Sequence, residues 1–180
     1  MEGCSKCCVD REYYPSIEFG KIGVLIMPEE KHRIESLAKR HSVKAVILPR
    51  IGTSKKNDGP ENIIAYQLMG IEPNGNTCPF LDTAGNERSP NGGYKCKIYE
   101  ERPLACRAYP LLESSPPTLD AKCKFCETCS YVDGNIQSET ESLIKIKERT
   151  YTEERYVWRY ATGIGDSAYL EQIKTGWFLI

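Results

Sequence analysis

Cysteines are the residues of this chain whose number and spacing predict chemistry most directly. The 180 residues include nine cysteines and only two histidines. The cysteines form three groups, and all nine are predicted metal ligands: Cys4, Cys7 and Cys8; Cys78, Cys96 and Cys106; and Cys123, Cys126 and Cys129. Where two residues separate neighbouring cysteines, a tight turn can place both thiolates on one ion. The pattern therefore predicts thiolate ligation of metal by distant parts of one chain.

A disulfide framework is the first alternative use of these thiols. The number of cysteines is odd, and the Cα atoms of Cys7 and Cys8 lie about 3.8 Å apart, below the usual minimum of about 4.4 Å for a bridge. The first residues lack the basic flank and apolar stretch of a secretory signal. We therefore expect a cytoplasmic protein whose thiols bind metal. Buried or incidental thiols are the remaining alternative.

The last cysteine group bears on which metal is bound. Three thiolates at the spacing of Cys123, Cys126 and Cys129 resemble the leading part of a ferredoxin-type run, which favours an iron–sulfur cluster, [4Fe–4S] in particular, over structural zinc. A ferredoxin run would place its next cysteine at Asp133, which we interpret as a turn residue because Gly134 follows it. Any fourth ligand of this group then comes from elsewhere or is that carboxylate.

The histidines do not suggest a nitrogen-rich site. His32 and His41 both fall on the first predicted helix, but they lack the spacing of about three or four residues that would pair them on one turn. We interpret them as helix-face residues. All-thiolate sites suit iron–sulfur clusters and structural zinc, and they argue against an open catalytic zinc.

Two segments resemble a known family. Residues 78–81, with the sequence CPFL, and residues 96–110, with the sequence CKIYEERPLACRAYP, resemble the YkgJ-like family of zinc- or iron-chelating cysteine-cluster proteins. The resemblance covers residues 4–130 of a single predicted domain, 1–180, and leaves a helical extension, 138–180, outside. It implies a protein that holds metal, with a redox or electron-transfer role.

The start of the chain departs from the family's pattern. The family opens with Cys-x-x-Cys-x-x-Cys-Cys, and Cys4, Cys7 and Cys8 occupy its second to fourth positions. Met1 stands where the first cysteine would be. Two explanations are open: a later cysteine replaces the missing ligand, or the natural start lies upstream.

Two further functions are kept as alternatives. Flagellin lysine N-methylases resemble the same cysteine cluster, which implies a methyltransferase-like activity. The sequence adds little to this, since Gly163-Ile164-Gly165 follows a predicted helix, not a strand, and is predicted to be a loop. The other alternative is a zinc-stapled module that binds protein or nucleic acid. No hydrolase constellation or phosphate loop is recognisable, so the sequence leaves open whether the protein is an enzyme.

Two arginines beside the cysteines are candidates for contact with the bound group. Four thiolates on Zn²⁺ or on a [4Fe–4S]²⁺ core leave a charge of about −2 that a buried site must offset. Arg102 and Arg107 are nearest in sequence; Arg107 can donate to sulfur or to backbone carbonyls, and surface salt bridges are the alternative for both. Tyr99 and Tyr109 are predicted to line the site.

The charge pattern is otherwise ordinary. The formal net charge is −1, but residues 31–56 hold eight Lys or Arg against the single acid Glu35. This segment is predicted to be a solvated surface, with a nucleic-acid or acidic partner as a less favoured alternative. No stretch of about 18 apolar residues occurs, so we expect no membrane span.

The helices and strands expected to position the cysteines indicate an α+β fold. Residues 21–27, 45–48 and 63–69 have the composition of short strands, and a basic loop spans 52–60. Pro28, at the first position of a helix, with apolar residues on one face, predicts a helix to about Ser42. Residues 74–93 are rich in Gly, Asn and Pro, which suits a loop wrapped around a site.

The C-terminal part is predicted to be helical. Ser138 and Glu141 form a capping box, and an apolar stripe from Leu143 to Ala161 predicts one long helix or two short ones, ended by Gly163. Trp177 and Phe178 are expected in the core or at a partner contact. The aromatic residues of this segment are expected mainly in the core: Tyr151, Tyr156, Trp158 and Tyr160.

Overall fold

A five-stranded antiparallel sheet is the centre of the fold. The computed structural model describes residues 4–8, 22–71, 77–121, 123, 135–162 and 176–180. The sheet has the strand order β1-β3-β2-β6-β7. Its strands are β1 (Val24–Ile26), β2 (Ile47–Ser54), β3 (Asn62–Leu68), β6 (Tyr156–Tyr160) and β7 (Trp177–Leu179), and a separate hairpin contains β4 (Leu111–Ser114) and β5 (Pro117–Leu119). The α+β prediction is confirmed.

The first helix forms where the sequence predicts it. Helix α1 spans Pro28–Arg40, with proline at its first position and acidic residues in its first turn. The proline lacks only an N–H that would have no partner inside the helix, and the acids face the positive end of the helix dipole. The buried face of α1, which includes Ile34 and Leu37, packs with Val24 and Leu68 of the sheet. Burial of these side chains holds the helix on the sheet.

The main core touches the cysteine-bearing loops directly. Phe80 and Ile98, from the loop region, are buried in the same cluster as the side chains of α1 and the sheet. Cys78, Cys96 and Cys106 are partly buried against that cluster. The apolar core therefore forms one side of the region where these cysteines lie.

A smaller core joins the remaining helices. Helix α2 spans Leu104–Ala108 and helix α3 spans Gln137–Thr150. Ala108, Leu111 and Leu143 are buried together, which packs α3 on α2 and on the β4–β5 hairpin. Helix α3, although it follows the cysteine loops in sequence, thus supports the short helix that carries Cys106.

The prediction for the C-terminal part is wrong after Thr150. Helix α3 ends there, and Tyr156–Tyr160 is a strand that pairs with β2, with Gly52 opposite Trp158. Five residues rich in aromatic and β-branched side chains suit a strand, and the pairing decides between strand and helix. The predicted basic loop 52–60 is shortened for the same reason, since its first residues belong to β2.

The predicted capping box at Ser138 is also wrong. Ser138 lies inside the first turn of α3, and the N-cap position is Ile136, which makes no side-chain cap. Asn135 takes over part of this role, because its Oδ1 accepts a hydrogen bond of 3.0 Å from the backbone N–H of Gln137. Phe178 is buried, as expected, and Tyr151 is exposed.

The cations of the basic segment are partly paired on the surface. Lys31 forms an ion pair with Glu35, and Arg40 pairs with Glu101 at 3.2 Å. In the described ranges, no helix is both long and apolar enough to cross a membrane.

Candidate metal centre

One cavity collects every cysteine that the structure describes. Its volume is about 70 Å³, and since a single water needs about 10–15 Å³ on this measure, there is room for more than one small ion. The cysteines at its wall are Cys4, Cys7, Cys8, Cys78, Cys96, Cys106 and Cys123. Residues from the start of the chain thus meet residues that follow β5. Cys126, Cys129 and Asp133 lie outside the described residues.

The first cysteine group is attached to the central loop by its backbone. Lys6–Cys8 is one turn of 3-10 helix, so its cysteines follow each other closely on the cavity wall. The N–H of Cys78 donates a hydrogen bond of 2.9 Å to the carbonyl oxygen of Cys8. This single bond places the second cysteine group next to the first.

Ser5 holds the other end of the first group. Its side chain is buried, its Oγ donates to the carbonyl oxygen of Tyr94, and its N–H donates to the carbonyl oxygen of Gly92 at 3.1 Å. Ser89 supports the same contact, since its Oγ also donates to Tyr94, at 2.8 Å. Gly93 has a φ of +84°, and a methyl group there would overlap the Ser5 side chain. Sequence analysis missed Ser5, although its place between two cysteines could have marked it.

Cys78 and Cys96 are brought together by a short backbone ladder. Leu81 and Cys96 form an isolated antiparallel bridge, and Lys97 N–H donates to the carbonyl oxygen of Phe80 at 2.9 Å. Phe80 is fully buried. Of the loop predicted at 74–93, Cys78 and Phe80 line the cavity, and Phe80 anchors this part of the chain in the core.

Cys106 and Cys123 reach the cavity from two further elements of the chain. Cys106 belongs to helix α2, whereas Cys123 is buried after the β4–β5 hairpin. Asp120 N–H donates to the carbonyl oxygen of Pro110 at 2.8 Å, and Cys123 N–H donates to that of Asp120 at 3.0 Å. These bonds fold the chain back so that Cys123 faces the residues that follow α2.

The thiols are close enough to influence each other. The Sγ atoms of Cys7 and Cys8 are 3.9 Å apart. The pKa of Cys8 is raised well above its ordinary value by the hydrogen bond with Cys7, then by burial and by the neighbouring thiols of Cys7, Cys78 and Cys106. Burial also raises the pKa of Cys96, against the opposing effects of a hydrogen bond from the backbone of Ile98 and of the Arg102 charge. Thiolates gathered here need a cation to offset their mutual repulsion.

Arg102, together with the exposed Lys6, supplies the cations that line the cavity beside these thiols. The Arg102 guanidinium lies 3.7 Å from the centre of the Tyr99 ring, and its Nε donates to the Tyr99 carbonyl oxygen at 2.7 Å. Both contacts hold the charge in a fixed position at the wall. Tyr99 and Tyr109 line the cavity, as predicted.

Arg107 has a different position. Its Nε donates to the carbonyl oxygen of Arg102 and its Nη2 to that of Glu100, each at 2.9 Å. It therefore binds the backbone of the segment before α2, the second of the two contacts considered possible from sequence. This arrangement fixes the chain that carries Arg102.

The thiols around the cavity do not form a closed ligand set. In the part of the chain that the structure describes, no three Cys, His, Asp or Glu side chains have the mutual spacing of ligands on one ion. Because cysteine must lose its proton to bind a metal, binding here would release protons from these thiols. The donor set, soft sulfur on a cavity that Arg102 and Lys6 also line, fits a thiolate-bound metal or cluster.

Comparison with known proteins gives one match. A family model described as a putative zinc- or iron-chelating domain, CxxCxxCC, matches residues 1–127. No curated protein and no solved structure matches the chain. The matched range includes the described cysteines and leaves α3, β6 and β7 outside it.

Proposed function

The chain belongs to the CxxCxxCC family of zinc- or iron-chelating domains, and from this premise we propose that it holds an iron–sulfur cluster and transfers electrons. The observation that carries the proposal is the convergence of seven cysteines, from Cys4 to Cys123, on one cavity. The bound cluster would supply a one-electron redox couple. The nine cysteines are the proposed ligands, and Arg102 and Arg107 are proposed to support the bound group.

The spacing of the last cysteine group favours a cluster over zinc. A structural zinc ion and a [4Fe–4S] cluster each take four cysteine ligands, so the number of thiols does not distinguish the two. Cys123, Cys126 and Cys129 have the spacing of the leading part of a ferredoxin-type run, which supports the cluster. Seven cysteines line the cavity and two more follow Cys123, so the chain has more thiols than one such centre needs. Zinc bound by four of these thiols is the alternative.

The exposure of the site suits electron transfer. Among the described cysteines, Cys123 alone is buried, and the other six are intermediate in exposure. A centre near the surface can exchange electrons with a partner that docks beside it. The lysine-methylation and interaction-module alternatives have no comparable support: Gly163-Ile164-Gly165 lies outside the described residues, and Lys31, Arg33 and Arg40 of the basic segment each pair with an acid.

Anaerobic purification followed by metal and sulfide analysis tests the proposal. We expect brown protein that contains iron and inorganic sulfide and absorbs broadly near about 400 nm, as cysteine-bound clusters do. Cys106→Ser should reduce colour and sulfide together. Ser36→Ala, which removes an exposed hydroxyl from α1, is the matched control and should leave both unchanged.

Two results decide against iron–sulfur. Colourless, sulfide-free protein with stoichiometric zinc would establish the zinc alternative. Protein that contains neither metal after anaerobic purification, and binds neither when they are added, would reject metal binding by this chain.

A further inference from the structure

Glu30 makes an unusual set of contacts for a surface helix residue. It lies in the first turn of α1, and its side chain is only 7% exposed. Its Oε2 accepts a hydrogen bond of 3.0 Å from the N–H of Met27, which caps α1 itself. Its Oε1 accepts one of 2.9 Å from the N–H of Leu104, the first residue of α2. One carboxylate therefore joins the starts of two helices that are distant in sequence.

Arg33 completes this connection. Its Nη2 donates to Glu30 Oε1 at 3.2 Å, and its Nη1 donates to the carbonyl oxygen of Glu101. The pair of side chains on α1 thus holds the segment on both sides of Arg102. A buried carboxylate is costly unless hydrogen-bond donors surround it, so Glu30 needs these donors. The donors in turn need the carboxylate as their acceptor.

The segment held in this way carries three residues of the cavity. Arg102, Pro103 and Cys106 line it, and α2 is only five residues long. A helix of this length is not stable by itself, since nucleation costs more than its few hydrogen bonds return. Its first N–H groups also have no partner within the helix. The contact with Glu30 supplies one such partner and ties α2 to the longer helix α1.

We propose that Glu30 is a positioning residue for the metal centre, acting through the backbone of α2 on Cys106. This inference rests on the proposed function, because it concerns how tightly the bound metal or cluster is held. It assigns to the α1 carboxylate a role beyond capping its own helix. Loss of the contact should let α2 shift and weaken the Cys106 bond to the metal.

Loss of metal to a chelator measures this effect in the full-length metal-loaded protein. Changes to groups that support metal ligands typically cost about 10–100-fold in affinity, so we expect Glu30→Gln to accelerate metal loss by at least about tenfold. The amide cannot accept from both Met27 and Leu104, since its nitrogen is a donor. Glu35→Gln is the matched control, because Glu35 is on the same helix but its side chain is 41% exposed and is paired with Lys31.

A second pair of variants removes the donor and keeps Glu30. Leu104→Pro deletes the N–H that binds Glu30, and proline is tolerated at the first position of a helix. Leu104→Ala loses the same side chain but keeps the N–H. We expect faster metal loss from Leu104→Pro than from Leu104→Ala, and this comparison holds even if Glu30→Gln fails to fold.

A double-variant cycle separates positioning from general stability. If Glu30 acts through Cys106, Glu30→Gln should add nothing to the rate of metal loss in a Cys106→Ser background. An equal acceleration in both backgrounds would overturn the inference, as would rates for Glu30→Gln and Leu104→Pro that match their controls. Absence of metal from the wild-type protein would instead reject the proposed function, so the two failures are distinct.

Discussion

The backbone amide of Cys78 lies 2.9 Å from the carbonyl oxygen of Cys8, to which it donates a hydrogen bond. This contact joins two cysteine groups that are separated by the first three strands and α1. The hydrogen bond joins two backbone groups and needs no particular side chain. It therefore cannot be predicted from the residue types in the sequence. It nevertheless brings the segments of both cysteines to one cavity wall.

Gly93→Ala tests the attachment of the first cysteine group. The added methyl group would overlap the Ser5 side chain and lie 2.9 Å from the Ser5 carbonyl carbon, in a backbone conformation with φ of +84°. We expect the free energy of unfolding to fall by about 3 kcal/mol and metal content to fall with it. Urea unfolding and metal analysis measure the two effects.

Gly59→Ala is the control for that experiment. Gly59 also has a positive φ, of +116°, but apart from its chain neighbours no atom of the described residues lies within 4 Å of the position its Cβ would occupy. Its substitution should cost only the backbone term of about 1–2 kcal/mol and leave metal content unchanged. Equal losses for the two variants would show that the contact between Gly93 and Ser5 does not matter.

Metal removal should loosen the cysteine loops before the sheet. The described residues 77–103 contain isolated bridges and one 3-10 turn but no helix or strand of four residues or more. We therefore expect metal binding to supply much of the energy that orders residues 70–130. Hydrogen exchange of the chelated protein should show lost protection there and retained protection in β2, β3 and α1. Unchanged protection after complete removal of metal contradicts this expectation.

Arg102→Gln and Arg107→Gln should have different effects. Arg102 lines the cavity near Cys96, so its loss should lower the reduction potential of a bound cluster and weaken metal binding by about tenfold. Arg107 binds backbone carbonyls, so its loss should reduce stability and leave the potential nearly unchanged. A redox titration combined with thermal unfolding distinguishes the two. A larger shift of potential in Arg107→Gln would reverse these assignments.

Strand β6 should contribute to stability through one side-chain pair. Trp158 Nε1 donates a hydrogen bond of 2.7 Å to Oγ of Ser54, which is fully buried. Ser54→Ala leaves the indole N–H without its acceptor, so we expect a loss of about 1–3 kcal/mol. In a Trp158→Phe background the same substitution should cost less, and a double-mutant cycle in urea measures the coupling. Additive losses would indicate that the pair makes no net contribution.

The sequence by itself determined the chemistry and the nearest elements. Metal binding follows from the number of cysteines, their spacing and the family resemblance, because thiolate ligands are few in kind and distinctive in pattern. Helix α1 and the first three strands were also predictable, because local sequence patterns specify them. Pro28, the acids after it and the short aliphatic runs act through local geometry, which the neighbouring residues already define.

The tertiary structure alone decided how distant segments meet. Tyr156–Tyr160 continues a helical apolar stripe in the sequence, yet it is a strand because β2 offers an edge with which it pairs. Glu30 is a residue type that suits the first turn of a helix, where it can cap the helix. Only the packing of α1 beside α2 gives its carboxylate a second donor, the N–H of Leu104. Local sequence sets the preferences of each segment, but backbone pairing and burial depend on partners far along the chain, and those contacts provide the free energy that selects among the preferences.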